Sequence, residues 1–248
     1  MLVDLAGRRT TLDGASRRRI YLFRHGSVDY MDSNGNVVPN TDLVDLNDAG
    51  RAQAAAMREL FAGVKIDKAL CSGLQRTRQT GETVLGGRDI PLEIDAGFAE
   101  IRQLGGEYSG DYDVVTDIAF SHWRAPDDDA RFLGGERYSD FYMRIRAAIK
   151  GVLADPSWQN LAVFAHGGTN AAILGWVTGL KLSAFGVLDQ ATCCLNVIDL
   201  DTDEAGRILR RTVRAMNVTA DDPVKGNRHS GDMEVLAHWM LQQENGKI

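Results

Sequence analysis

Short apolar runs alternate along this chain with longer stretches whose apolar positions recur at helical spacing. Ile20-Tyr21-Leu22-Phe23 is apolar and stops at Arg24-His25-Gly26. Lys68-Ala69-Leu70-Cys71 and Asn160-Leu161-Ala162-Val163-Phe164-Ala165 read the same way. Runs of this length predict buried strands. Residues 90–94 predict an edge strand, because Pro91 cannot join a central ladder. The turn signal at residues 32–36 makes residues 30–46 loop. Asn47 is the expected cap of a helix reaching about Ala62, with Asp48 at its positive end and Met57, Leu60 and Phe61 at helical spacing. Ser72 is the expected cap of a second helix, to about Leu85. Glu136 to Ala154 predicts a third, with Phe141, Ile145, Ala148 and Ile149 on one face, and a fourth follows His166-Gly167-Gly168 to about Val177. Cys194–Leu200 and Ile208–Val213 flank Asp201–Gly206 as a hairpin. The polar stretch from residue 218 ends in Met233, Val235, Leu236, Trp239 and Met240, a short docked helix.

Strands alternating with helices, plus a late hairpin, give an α/β domain with a mostly parallel sheet. Residues 1–18 are expected to be a flexible solvated leader, since Arg8, Arg9, Arg17 and Arg18 are mixed with Asp4 and Asp13. Residues 19–248 then form a single domain. Its glycine-rich segment, about 96–135, is expected to be an insertion over the site, because a long loop in a compact domain is usually functional or partly helical.

Bulk composition narrows the class. The 248 residues are 44% hydrophobic and 25% charged, as in ordinary globular proteins. A net charge of −6 argues against nucleic acid as a partner. No apolar run reaches the length of a membrane span, and the N-terminus lacks the apolar core of a secretory signal. Cys71, Cys193 and Cys194 suggest no disulfide framework, so a reducing, cytoplasmic setting is expected.

The candidate chemistry lies where strands end. Phe23 is followed by Arg24-His25-Gly26, and Ala165 by His166-Gly167-Gly168. Carboxyl ends of parallel strands share one sheet edge, so both histidines are expected at one crevice. The glycines after them expose backbone N–H groups near a helix start, which suits an anion. Arg76 falls in the first turn of the helix after Cys71, where a cation opposes the helix dipole unless an anion is bound between them. Glu100, flanked by apolar residues, can keep its proton, protonate a leaving oxygen and then activate water.

Arg24-His25-Gly26, Leu46-Asn-Asp-Ala-Gly-Arg-Ala-Gln-Ala54, Ser72-Gly-Leu-Gln-Arg-Thr-Arg-Gln-Thr80, Glu100, Gly135-Glu136 and His166-Gly167-Gly168 occur in this order. In this the chain resembles the histidine phosphatase superfamily, which contains cofactor-dependent phosphoglycerate mutases and many small-molecule phosphatases. The resemblance spans roughly residues 19–200. It implies a phosphoglycerate mutase-like, three-layer α/β/α sandwich with a mostly parallel central sheet. It implies that His25 is the nucleophile and becomes phosphohistidine. Arg24, Arg76 and His166 would hold the phosphoryl oxygens, and Glu100 would be general acid and later general base. Ser27, Asn34 and Gly167 are further candidates for phosphate contact. Two arginines and a second histidine supply the charge that phosphoryl transfer needs, so no metal ion or organic cofactor is required.

The chain also departs from the family pattern. Val44-Asp45-Leu46-Asn47 stands where many members have Pro-Leu-Thr, and Glu107-Tyr108-Ser109-Gly110 where many have Trp-Glu-Gly or Leu-Gln-Gly. The mutase-type segment Asn-Leu-Phe-Thr-Gly-Trp is absent. These differences bear on substrate identity and favour a hydrolase. The expected function is a metal-independent phosphatase acting on a small phosphorylated metabolite. The alternatives are a cofactor-dependent phosphoglycerate mutase and an inactive member that binds a phosphate ligand. A phosphohistidine protein phosphatase would need a more open crevice than the insertion allows. Tyr108, Tyr112, Phe120, His122, Trp123 and Phe132 either shape a lid or pack locally; His122, His229 and His238 are expected to be dispensable. A homodimer is left open.

Overall fold

The computed structural model describes residues 16–31, 38, 40–103 and 114–244. In chain order these form β1 (Ser16–Arg24), α1 (Asp48–Phe61), β2 (Lys68–Cys71), α2 (Gln75–Val84), β3 (Leu92–Ile94), α3 (Val114–Phe120), α4 (Tyr138–Ala154), β4 (Asn160–Ala165), α5 (Gly167–Thr178), α6 (Ala184–Val187), β5 (Leu195–Thr202), β6 (Ile208–Val218) and α7 (Asp232–Glu244). The sheet runs in the order β3-β2-β4-β1-β5-β6. The first four strands are parallel, and β5 and β6 add an antiparallel flank.

Strand alternation explains the layers. Ile20 and Leu22 of β1, with Leu161 and Val163 of β4, face one way and pack on Phe141, Ile145 and Ile149 of α4 and on Ala171 and Leu174 of α5. Phe23, Ala162 and Phe164 face the other way and pack on Ala54, Met57 and Phe61 of α1 and Val84 of α2. A sheet buried on both faces reads as near-continuous apolar runs, which is the pattern of β1 and β4. The fold is therefore the expected α/β/α sandwich. Asn47 caps α1 as expected, its side chain accepting from the Gly50 amide at 2.8 Å. Leu60 differs from expectation: Met57 and Phe61, one turn apart, point into the core, and Leu60 is exposed.

Two boundaries move. The sheet takes in Ser16, so Arg17 and Arg18 are not part of a solvated leader. The reason is pairing: Arg17 donates to Asp201, and Arg18 donates to the carbonyls of Leu153 and Trp158 while lying 3.5 Å over the Trp158 ring. Residues 1–15 fall outside the described residues. The second helix begins at Gln75 and is not capped by Ser72, whose hydroxyl is used elsewhere. Within the 96–135 segment, the described residues form a short turn at Ala96–Phe98, then α3, then a turn at Phe132–Gly134. Ala237 of helix α7 packs in one apolar cluster with Ile118 of α3 and Leu133 of the turn that follows. No helix among the described residues is long and apolar enough to cross a membrane.

Candidate active site

Strands β1 and β4 are parallel neighbours, with Arg24 opposite Ala165. Their carboxyl ends deliver His25 and His166 to one place, with imidazole centroids 5.3 Å apart. The His25 amide donates to the Ala165 carbonyl at 3.0 Å, which ties the two strand ends together. Gly50 makes room for this turn: a Cβ there would lie 2.1 Å from the Ser27 carbonyl.

Nδ1 of His25 donates to the Gly26 carbonyl at 2.8 Å. A carbonyl only accepts, so the proton sits on Nδ1 and the Nε2 lone pair is free to attack. Burial, then the charges of Arg76 and Arg24, hold His25 well below the ordinary histidine range. The ring is thus neutral and nucleophilic at neutral pH. His166 is held low by burial, then by Arg76, His25 and Arg24. Its Nε2 lies 2.8 Å from Ser72 Oγ, which lies 3.0 Å from Thr77 Oγ1. Thr77 donates its own proton to the Leu74 carbonyl at 2.7 Å. A run of donors from His166 Nε2 through Ser72 to Thr77 satisfies all three and leaves His166 Nδ1, which is buried without a partner, as the bare nitrogen.

Arg76 sits in the first turn of α2, as expected, and is buried. Its Nη1 donates to the Thr41 carbonyl at 2.8 Å, and the guanidinium lies 5.8 Å from the Tyr30 ring centre. Arg24 donates from Nη1 to the Gln190 carbonyl, and the same nitrogen forms an ion pair with Asp232. In both arginines Nε is buried with no partner. Unsatisfied buried donors are rare, and here two belong to cations beside a strand-end histidine.

Glu100 follows the Ala96–Phe98 turn. Its Oε2 accepts from the Gly168 amide at 3.1 Å, and its Oε1 from the Ile101 amide at 2.9 Å. A Cβ on Gly168 would lie 2.5 Å from Oε1, so only glycine lets the carboxylate reach the start of α5. Burial pushes the Glu100 carboxyl above its ordinary value, against the pull of those two amides and of Arg76 and Arg24. That direction suits a group that must hold a proton and then release it.

Of the remaining candidates, Ser27 stands beside Gly26, its hydroxyl accepting from Asn47 at 3.3 Å and its amide donating to Gln53 at 2.9 Å. Gly167 opens α5 next to Arg24: a Cβ there would lie 3.4 Å from Arg24 Nε. Asn34, Tyr108 and Tyr112 lie outside the described residues. Phe120 and Trp123 are exposed. His122 stacks on Phe132 with centroids 5.4 Å apart, its Nδ1 lies 2.9 Å from the Tyr138 hydroxyl, and burial pushes it down to about 4.

Three contributors escape the sequence pattern. Ser72 orients His166; its place inside the Ser72–Thr80 motif was the available signal. Arg144 clamps the Glu100 loop, donating to the carbonyls of Gly97, Ala99 and Glu100 at 3.2, 3.0 and 3.2 Å and pairing at two points with Glu136. The Gly135-Glu136 element therefore holds the Glu100 loop, through Arg144. Asp232 reaches Arg24 from the far C-terminal segment, where no local signal marks it.

The same elements identify the family. A model of the histidine phosphatase superfamily (branch 1) matches residues 20–213. The chain belongs to this superfamily. Among histidine phosphatases, it is 26% identical over 225 residues to the probable 2-carboxy-D-arabinitol-1-phosphatase of Arabidopsis thaliana, covering 86% of this chain and 44% of that protein. The chain thus spans under half the length of that plant relative. It is 26% identical over 214 residues to the adenosylcobalamin/alpha-ribazole phosphatase of Escherichia coli (strain K12), covering 82% of this chain and 97% of that protein. The structure of a mycobacterial glucosyl-3-phosphoglycerate phosphatase superposes with a TM-score of 0.64 at 22% identity, over 81% of this chain and 99% of that one. At that identity the likeness shows the histidine phosphatase fold.

Proposed function

We propose that this chain hydrolyses a small phosphorylated metabolite through a phosphohistidine formed on His25. The observation that carries the reading is the set of buried nitrogens left without partners: Arg24 Nε, Arg76 Nε and His166 Nδ1, on the three residues that surround His25. A phosphoryl group supplies acceptor oxygens to the arginines and negative charge that favours a second proton on His166, turning Nδ1 into a donor.

The steps follow from the groups present. His25 Nε2 attacks phosphorus, and the ester oxygen leaves with the proton of Glu100. Glu100, now a carboxylate, takes a proton from water as that water attacks the phosphohistidine, releasing phosphate and free His25. Arg24, Arg76 and His166 stabilise the equatorial oxygens throughout, so the reading calls for no metal ion. All three cysteines are free and buried, which agrees with a cytoplasmic setting. Phosphatases named among the relatives support hydrolysis, and their varied substrates leave the metabolite to be found by assay.

The test is a panel of phosphomonoesters with phosphate release as readout, run beside conversion of 3-phosphoglycerate. Metal-independent phosphate release, lost in His25→Ala, is expected. Isomerisation outpacing hydrolysis would reassign the enzyme as a mutase, and full activity in His25→Ala would overturn the mechanism.

A further inference from the structure

We infer that Asp232, the first residue of α7, is a positioning residue for Arg24 and makes the C-terminal segment part of the phosphate site. This rests on the reading of the Arg24–Arg76–His166 cup as a phosphoryl site. The family match ends at residue 213, so this contact lies beyond the shared motif set.

A guanidinium has two usable edges, and Nη1 lies on the side away from the Nε–H. In Arg24, Nη1 is occupied twice, by the Gln190 carbonyl and by the Asp232 carboxylate. Nε is unoccupied, buried and beside Gly167 at the start of α5. Asp232 therefore holds the back edge of the guanidinium and leaves the edge that matches two phosphate oxygens.

Both anchors are themselves fixed. The Gln190 side chain accepts from Asn170 at 3.1 Å and from Asn196 at 2.7 Å, deep in the fold. The second oxygen of Asp232 accepts from Arg228 at 2.8 Å, and Arg228 donates to Asp189 at 3.1 Å. A chain of alternating charges, Arg24–Asp232–Arg228–Asp189, thus runs from the cup to the loop before β5. Partial burial alone would raise the Asp232 carboxyl, but Arg24 and Arg228 hold it below its ordinary value.

Asp232 as an internal anion competing with phosphate for Arg24 gives the opposite result, so one experiment separates the two. Inorganic phosphate is titrated calorimetrically into the full chain and its Asp232→Asn variant. Turnover of p-nitrophenyl phosphate and thermal melts are recorded in parallel. Loss of one charge-assisted contact to the guanidinium predicts phosphate binding weaker by about ten-fold and a fall in kcat with a near-unchanged melt. Asp232→Glu should recover most of both. Tighter or unchanged phosphate binding in Asp232→Asn overturns the inference. If that variant does not fold, Arg228→Gln carries the test: it removes the partner that fixes the second oxygen of Asp232 and so loosens its hold on Arg24, phosphate binding is expected to weaken, and unchanged affinity there overturns the inference. Phosphate binding needs no turnover, so an enzyme that binds phosphate but hydrolyses no ester would fail the proposed function and leave this comparison intact.

Discussion

Glu100 is the residue whose environment makes the sharpest demand. Its pKa is raised in the folded chain, chiefly by burial. A carboxyl whose folded pKa exceeds its unfolded value contributes stability below the unfolded value and loses it as pH rises through the folded one. Where the pH exceeds that raised value, the charged side chain is therefore a burden. Glu100→Gln is expected to melt higher than the parent at pH 8, with the gap closing toward pH 4, while kcat falls by about 10²–10⁴-fold. Equal melting curves across that range would contradict the assigned environment. Arg76→Ala should lower kcat by about 10²-fold or more, because a buried donor to the transition state is lost. The placing of His25 and Arg76 was legible because strand ends and helix first turns position side chains predictably, whereas Glu100 lies in a loop and only its apolar neighbours marked it. Ser72 was misread as a cap because a hydroxyl after a strand suits both jobs; only the position of His166, far along the chain, decides between them.

At the scale of elements, the site depends on β1 and β4 being adjacent and parallel and on α5 starting at once after β4. The alternation of apolar runs with helical stretches made these strands and helices readable to within a few residues. Their order in the sheet was not readable, because it is set by pairings between distant segments. Residues 99–103 around Glu100 carry no helix or strand to stiffen them, and Arg144 supplies what backbone pairing does not. Arg144→Ala leaves three loop carbonyls and the Glu136 carboxylate short of a donor. Its expected cost is about 1–3 kcal/mol in denaturant unfolding, with a drop in kcat larger than any change in phosphate affinity. A variant as stable and as active as the parent would show that the clamp is dispensable.

Across the whole molecule, charged residues do structural work that composition hides. Asp199 and Asp201 on β5 are nearly fully buried, at 2% and 1% exposure, beneath Arg17, Arg19, Arg210 and Arg214 from the flanking strands. This is why β1 extends into a segment that reads as solvated. Burial alone would raise the Asp199 carboxyl, but Arg19 and Arg214 hold it below its ordinary value. Its contribution is then present above the unfolded pKa and lost as pH falls through the folded one. Asp199→Asn should destabilise the chain most at pH 7, with the gap shrinking as the pH falls below the ordinary carboxylate range, read by thermal melts. The C-terminal helix likewise became part of the site only through tertiary packing, which no local pattern announces. All of these features serve one claim, that His25 accepts a phosphoryl group. Rapid quench of the enzyme during turnover of a phosphomonoester, followed by mapping of the labelled peptide, tests it most directly. An acid-labile, base-stable phosphoryl group on His25 is expected; a burst of product with no phosphoryl group on that residue would rule the mechanism out.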